Sequence, residues 1–288
     1  MKLISFELHG NVSYGAVQGD KVVDLGIALG SQALDLKALI ENDLLHAAKQ
    51  VVAKTPPSVS LKDVTFLPVI PNPGKIVCIG LNYLDHVKEG GREVTESPTI
   101  FLRINESQVG HDEPIILPTE STRLDYEGEI AIVIGRGGRR IKEDDAWQHI
   151  AGYACYNDGS VRDWQMSTSQ WTAGKNFWKT GAFGPWMVTA DEIKPGRRMT
   201  LVTRLNGMEM QRTTTDMMIH TIPRQIAYIS TFMPLFPGDV IVTGTPGGVG
   251  SRRDPQVFMK HDDVVEIEVD AIGILRNRVQ QEELELRR

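Results

Sequence analysis

Asp125-Tyr126-Glu127-Gly128-Glu129-Ile130-Ala131-Ile132-Val133-Ile134-Gly135 is the most informative stretch of this 288-residue sequence. Its second half is an apolar run of strand character. Strand side chains alternate faces, so Glu127 and Glu129 point the same way. Two carboxylates on one face repel unless a cation or a proton sits between them. The plainer reading is a strand edge carrying two solvated glutamates.

A third acid shifts the balance. Asp158 ends the apolar run Ala151-Gly152-Tyr153-Ala154-Cys155-Tyr156-Asn157, in the turn before Gly159. Carboxylates from two strand ends make a hard, oxygen-only donor set suited to Mg²⁺ or Mn²⁺. Asp158 also suits the N-cap of a helix over Val161 to Ser167, a purely local role. His86 and Glu89 are three apart on a short helical patch, where i and i+3 share a face, and Gly90-Gly91 follows as a hinge for a lid. A carboxylate so placed orients an imidazole that activates water. Lys175, between Gly174 and Asn176-Phe177, reads as a buried cation for a carboxylate or an enolate. The glycine-rich loop from Thr243 to Gly250 is able to aim backbone N–H groups at an anion, although a tight turn is its default reading.

Away from these positions the chain reads as β-rich. The alternating runs Lys2 to Leu8, Val12 to Val17 and Lys21 to Leu25 are separated by turn residues and predict a small antiparallel element. A helix is expected from Asp35 to Ala53. Pro71-Asn72-Pro73-Gly74 breaks the pattern and sets a small N-terminal α/β domain, 1–70, apart from a catalytic domain, 71–288. In the second segment strands outnumber helices, and Asn206-Gly207 between two strand runs is a strong hairpin signal. The fold class expected is α+β, predominantly β.

Composition excludes several classes. A net charge of −6 disfavours a nucleic-acid binder, which needs a basic surface. There is no apolar run of membrane-spanning length, and the N-terminus meets Glu7 too soon for a signal peptide, so a cytoplasmic protein is expected. Cys78 and Cys155 both lie in apolar runs and read as core residues. A phosphate-binding loop, a Gly-x-Ser-x-Gly elbow, a His-Glu-x-x-His helix and a dinucleotide fingerprint are all missing.

In order and spacing, these motifs resemble the fumarylacetoacetate hydrolase family. The matching pieces are Asn82-Tyr83 through His86 and Glu89, Glu127-Gly128-Glu129, Asp158 in Asn157-Asp158-Gly159, Gly174-Lys175-Asn176-Phe177, and Thr243 to Gly250. The resemblance implies a mixed β-sandwich roll assembled as a homodimer. It implies Mg²⁺ or Mn²⁺ held by Glu127, Glu129 and Asp158, and a substrate pocket lined by Arg162, Gln165, Lys175, Thr245 and Tyr83. Two positions depart from the family pattern: Arg103 stands where relatives often carry Lys, and Trp178 where many carry an acid. The expected chemistry is hydrolysis of a C–C bond in a small 2-oxo acid such as an acylpyruvate, with His86, Glu89 and Lys175 catalytic. Decarboxylation of an oxaloacetate-like acid, or isomerisation or hydration of an unsaturated oxo acid, would use the same enolate. A metal-binding protein without catalysis is the contrasting class. Products of aromatic-ring breakdown and deoxy-sugar acids both suit this chemistry.

Overall fold

A computed structural model describes residues 1–283; the end of the expected second domain, 284–288, lies outside the described residues. The chain is a mixed β-sandwich, with helices packed on both faces of its large sheet. Strand Gly128–Ile134 sits in the middle of a 12-stranded sheet, antiparallel to Ile150–Asn157 on one side and to Val240–Val242 on the other. Ile76–Gly80 adds in parallel beyond Val240–Val242, and Thr99–Arg103 forms the edge. A five-stranded sheet, ordered Met208–Thr214, Thr200–Leu205, Val264–Val269, Gly273–Gln281 and Ile115–Leu117, covers one face.

The apolar run follows from its position, because both faces of its strand are buried. Ile130, Ile132 and Ile134 pack toward the second sheet with Leu201, Ile267 and Leu275. Ala131 and Val133 pack on the opposite face with Leu36, Leu39 and Val242. Gly128 belongs to the first set. A Cβ there would lie 2.0 Å from Thr203 Oγ1, so only glycine lets the second sheet close over the strand between the two glutamates.

The N-terminal meander forms as expected, with Lys2–Leu8, Asn11–Gln18 and Lys21–Asp24 antiparallel. It does not stand apart as a sheet of its own: Lys2 and Leu3 pair with Val188 and Met187, so these strands extend the large sheet. The helix expected from Asp35 to Ala53 is two helices, Leu36–Glu41 and Leu45–Lys54. Asp43 between them adopts φ 55°, a left-handed conformation that Asp tolerates and a helix does not. Glu143–His149 is a 3₁₀ helix. Asn206 and Gly207 both have positive φ, as a type I′ hairpin turn requires. Val240–Val242, unread in the sequence, is three fully buried apolar residues and too short to show a period. Both cysteines are buried and free. Among the described residues no helix is long and apolar enough to cross a membrane.

Candidate active site

Two neighbouring strands bring the acids together. In the antiparallel register Gly128 faces Asn157 and Glu129 faces Tyr156. Just past this ladder the Asp158 N–H donates to the Glu127 carbonyl at 2.9 Å, and the Glu127 N–H donates to Asn157 Oδ1 at 3.0 Å. Oxygens of Glu127, Glu129 and Asp158 then lie within 4.8 Å of one another, and all three residues are buried. The Asp158 side chain caps no helix. The short helix begins later, at Arg162, behind Val161 without a side-chain cap, and Asp158 is free to face cations instead.

Those cations are buried too. Lys175 Nζ donates to Glu127 Oε2 at 2.6 Å and to Asp158 Oδ2 at 2.5 Å. Arg162 meets Glu127 Oε1 at 2.7 Å and Asp125 Oδ2 at 2.8 Å. Arg103, one of the family departures, donates to Asp158 Oδ1 at 2.6 Å and to the Gly159 carbonyl at 2.9 Å. Burial alone would raise the Glu127 carboxyl, but Lys175 and then Arg162 outweigh it and hold Glu127 below the usual carboxylate range. Burial also penalises the Lys175 ammonium, and Asp158 and Glu127 reverse that, so Lys175 stays charged.

Four buried carboxyl groups (Asp125, Glu127, Glu129, Asp158) thus meet three buried cations (Arg103, Arg162, Lys175). Glu129 is the one without a counter-charge; it accepts the Gly244 N–H at 2.5 Å. Burial first, and then the Asp158 and Glu127 carboxylates, push its carboxyl well above the ordinary range. A divalent cation among these hard oxygens would remove that repulsion, so the donor set fits Mg²⁺ or Mn²⁺ by charge and by chemistry.

The glycine loop does aim its N–H groups at anions, and the anions are the protein's own. Gly244 N–H serves Glu129, Gly248 N–H serves Glu89 at 2.8 Å, and those of Gly250 and Ser251 serve Asp125. Gly244 holds φ 101°, and a Cβ on it would meet Asn82 Cβ at 2.6 Å. On helix Leu84–Glu89, His86 Nδ1 lies 2.8 Å from Glu89 Oε1. This leaves Nε2 for whatever occupies the adjoining cavity.

That cavity measures about 250 Å³ and is lined by His86, Glu127, Glu129, Arg162, Gln165, Lys175 and Thr245, with Phe101, Met166 and Trp171 as its apolar wall. Seven of the residues singled out in the sequence therefore share one space. Asp158 and Glu89 sit behind it, bonded to Lys175 and His86. Tyr83 does not line this cavity. It precedes the helix as its N-cap residue and turns into the core, 2% exposed. Arg162 Nη2 is buried and has no hydrogen-bond partner, which leaves a donor for a ligand in the cavity.

The sequence matches the fumarylacetoacetate (FAA) hydrolase C-terminal family over residues 75–280. The chain belongs to this family. The human mitochondrial protein named oxaloacetate tautomerase FAHD2A is 40% identical over 237 residues, covering 82% of this chain and 76% of that protein. A 5-carboxymethyl-2-hydroxymuconate delta-isomerase structure from Mycobacterium smegmatis superposes with a TM-score of 0.76 at 32% identity, over 98% of this chain and 100% of that one. A maleylpyruvate hydrolase from Sphingobium sp. SYK-6, solved with manganese(II) and pyruvate, superposes with a TM-score of 0.82 at 27% identity, with the same coverage. As a family member the chain has an enzyme scaffold, and its acidic triad is able to hold a metal ion.

Three residues of the site had no role assigned from the sequence, although Asn82 belongs to a motif named there. Asp125 shares the parity of Glu127 and Glu129 but anchors Arg162 and the loop at Gly250. Gln211, on the second sheet, donates to Thr245 Oγ1 and the Pro246 carbonyl while accepting the Gly128 N–H. Asn82 ties the base of the His86 helix to His220 and Thr243.

Proposed function

We propose that the chain interconverts the enol and keto forms of a small 2-oxo acid of the oxaloacetate type, with a divalent metal ion as cofactor. The observation that carries this reading is the hydrogen-bonded His86–Glu89 pair, with His86 lining the same cavity as the acidic triad. Mg²⁺ or Mn²⁺ held by Glu127, Glu129 and Asp158 would act as a Lewis acid toward the oxygens of the 2-oxo acid. Lys175, Gln165, Thr245 and the unpaired Arg162 Nη2 bind the carboxylate head. Protonated His86 gives a proton to C3 of the enol while the enol hydroxyl releases its own to water, and Glu89 steadies the imidazolium. His86 then regains a proton from solvent at the mouth. Tautomerisation needs this proton transfer and no attacking water, and the 40% identical human relative is named a tautomerase.

Hydrolysis of a C–C bond in an acylpyruvate-like acid is the second reading. The observation that favours it is the likeness to the maleylpyruvate hydrolase solved with manganese(II) and pyruvate. The Mn²⁺-loaded protein should speed the loss of the enol absorbance of fresh oxaloacetate with no release of CO₂ or pyruvate above background. Pyruvate from acylpyruvates, with no effect on the enol, would put hydrolysis first; CO₂ from oxaloacetate would put decarboxylation first. A homodimer is the assembly we expect from the family resemblance, and the cytoplasm is the compartment we expect from the sequence composition.

A further inference from the structure

The buried cations of the site are all paired, yet three less buried arginines that line the cavity are not: Arg92, which lies 5.5 Å from the Trp171 ring centre, Arg123 and Arg252. Arg123 and Arg252 both line the cavity, together with Ser251 and Gln256. Among the described residues neither lies within ion-pair distance of a carboxylate. Arg123 is held through backbone and side chain, and Arg252 through its backbone. The Arg123 carbonyl accepts the Arg162 N–H at 3.0 Å, and its own N–H donates to Ser121 Oγ at 3.0 Å. Its guanidinium lies 5.3 Å from the Phe258 ring centre and donates to Gln256 Oε1 at 3.4 Å, which leaves other N–H groups for a ligand. Arg252 closes the short 3₁₀ turn Gly250–Arg252, whose first two N–H groups are fixed on Asp125.

Cations therefore line the cavity both at its buried floor and toward solvent. Lys175 and Arg162 take a carboxylate head at the floor. Phe101, Met166 and Trp171 supply an apolar wall. Toward solvent, the guanidinium groups of Arg123 and Arg252 line the same cavity, as does the Asp163 carboxylate, which already accepts Ser121 Oγ–H. A substrate with a neutral acyl tail would leave both unmatched.

We infer that Arg123 and Arg252 form a second anion subsite, which takes the far carboxylate of a short 2-oxo dicarboxylate. The inference rests on the reading of the cavity as a 2-oxo acid site and adds the end of the substrate that the mouth selects. A guanidinium–carboxylate contact is a charge-assisted hydrogen bond, and its loss reads as about tenfold or more in affinity.

Calorimetry on the intact Mn²⁺-loaded protein tests this without turnover. The probes are 2-oxoglutarate, 2-oxopentanoate, which has a methyl in place of the tail carboxylate, and oxalate, which has a head alone. Wild-type protein should bind 2-oxoglutarate at least about tenfold more tightly than 2-oxopentanoate. The double variant R123Q/R252Q should lose that preference while keeping its affinity for oxalate, which also shows that it folds. Equal binding of the two five-carbon acids by wild-type protein, or a preference that survives the double substitution, would overturn the subsite. Failure of wild-type protein to bind oxalate would overturn the 2-oxo acid reading itself, and the tail subsite with it.

Discussion

Replacing Lys175 with Met separates two states of the site that the structure sets in competition. Lys175 is 1% exposed and donates to Glu127 at 2.6 Å and to Asp158 at 2.5 Å. Met has nearly the same length, so the substitution leaves little cavity and removes mainly the charge. Glu127 and Asp158 keep Arg162 and Arg103 but lose the cation they share. Removing one partner of a buried ion pair costs about 3–5 kcal/mol, because the other charge stays buried without it. The lower end applies here, since each carboxylate retains one partner. Metal-free K175M should therefore be about 3 kcal/mol less stable than wild-type protein in urea unfolding. A dication offers the same two carboxylates a substitute charge, so Mn²⁺ should bind K175M more tightly than wild type and narrow the deficit. Unfolding curves with EDTA and with a fixed Mn²⁺ concentration measure both effects. Equal stability of the two proteins in EDTA, or weaker Mn²⁺ binding by K175M, would refute the competition between ammonium and metal.

Two further outcomes follow from neighbouring groups. Glu89→Gln keeps an oxygen for the Gly248 N–H but no longer supports an imidazolium on His86; kcat should fall about a hundredfold or more, the scale of general acid–base catalysis, with Mn²⁺ affinity unchanged in a parallel titration. His111 is held below its usual pKa, chiefly by burial, and its Nδ1 accepts the Arg276 N–H at 3.1 Å. Folded protein keeps it neutral while the unfolded chain protonates near pH 6.5, so its contribution is intact above that pH and is lost as the pH falls toward the depressed folded value. Thermal unfolding between pH 7 and 5 should show this loss, and His111→Gln should flatten it.

Much of the site was legible because local geometry governs it. The two-residue period of a strand puts Glu127 and Glu129 on one face whatever surrounds them, and the spacing of His86 and Glu89 makes them helix neighbours. Asp158 was legible as an acid at a strand end; that its strand pairs beside Gly128–Ile134 is a tertiary fact, fixed by the register of Gly128 with Asn157. The cations were harder. Lys175 was recognisable as buried, yet its choice of Glu127 and Asp158 as partners depends on side chains from three separate segments. Gln211 was invisible for the same reason: it reaches Gly128 and Thr245 from another sheet, across 83 and 34 residues of sequence. Tyr83 went the other way. Its motif pointed to the pocket, but its place at the start of the helix turned the ring into the core beside Ile79 and Met218.

If Glu127, Glu129 and Asp158 hold the metal on which activity depends, a single titration shows it. Metal-stripped wild-type protein and Glu129→Gln are titrated with Mn²⁺, with bound ion and the rate of oxaloacetate enol loss followed together. One ion per chain should bind wild-type protein and the rate should rise in proportion to occupancy, while Glu129→Gln should lose both. A rate that is full in the stripped protein, or Mn²⁺ binding that is unchanged by Glu129→Gln, would contradict the account.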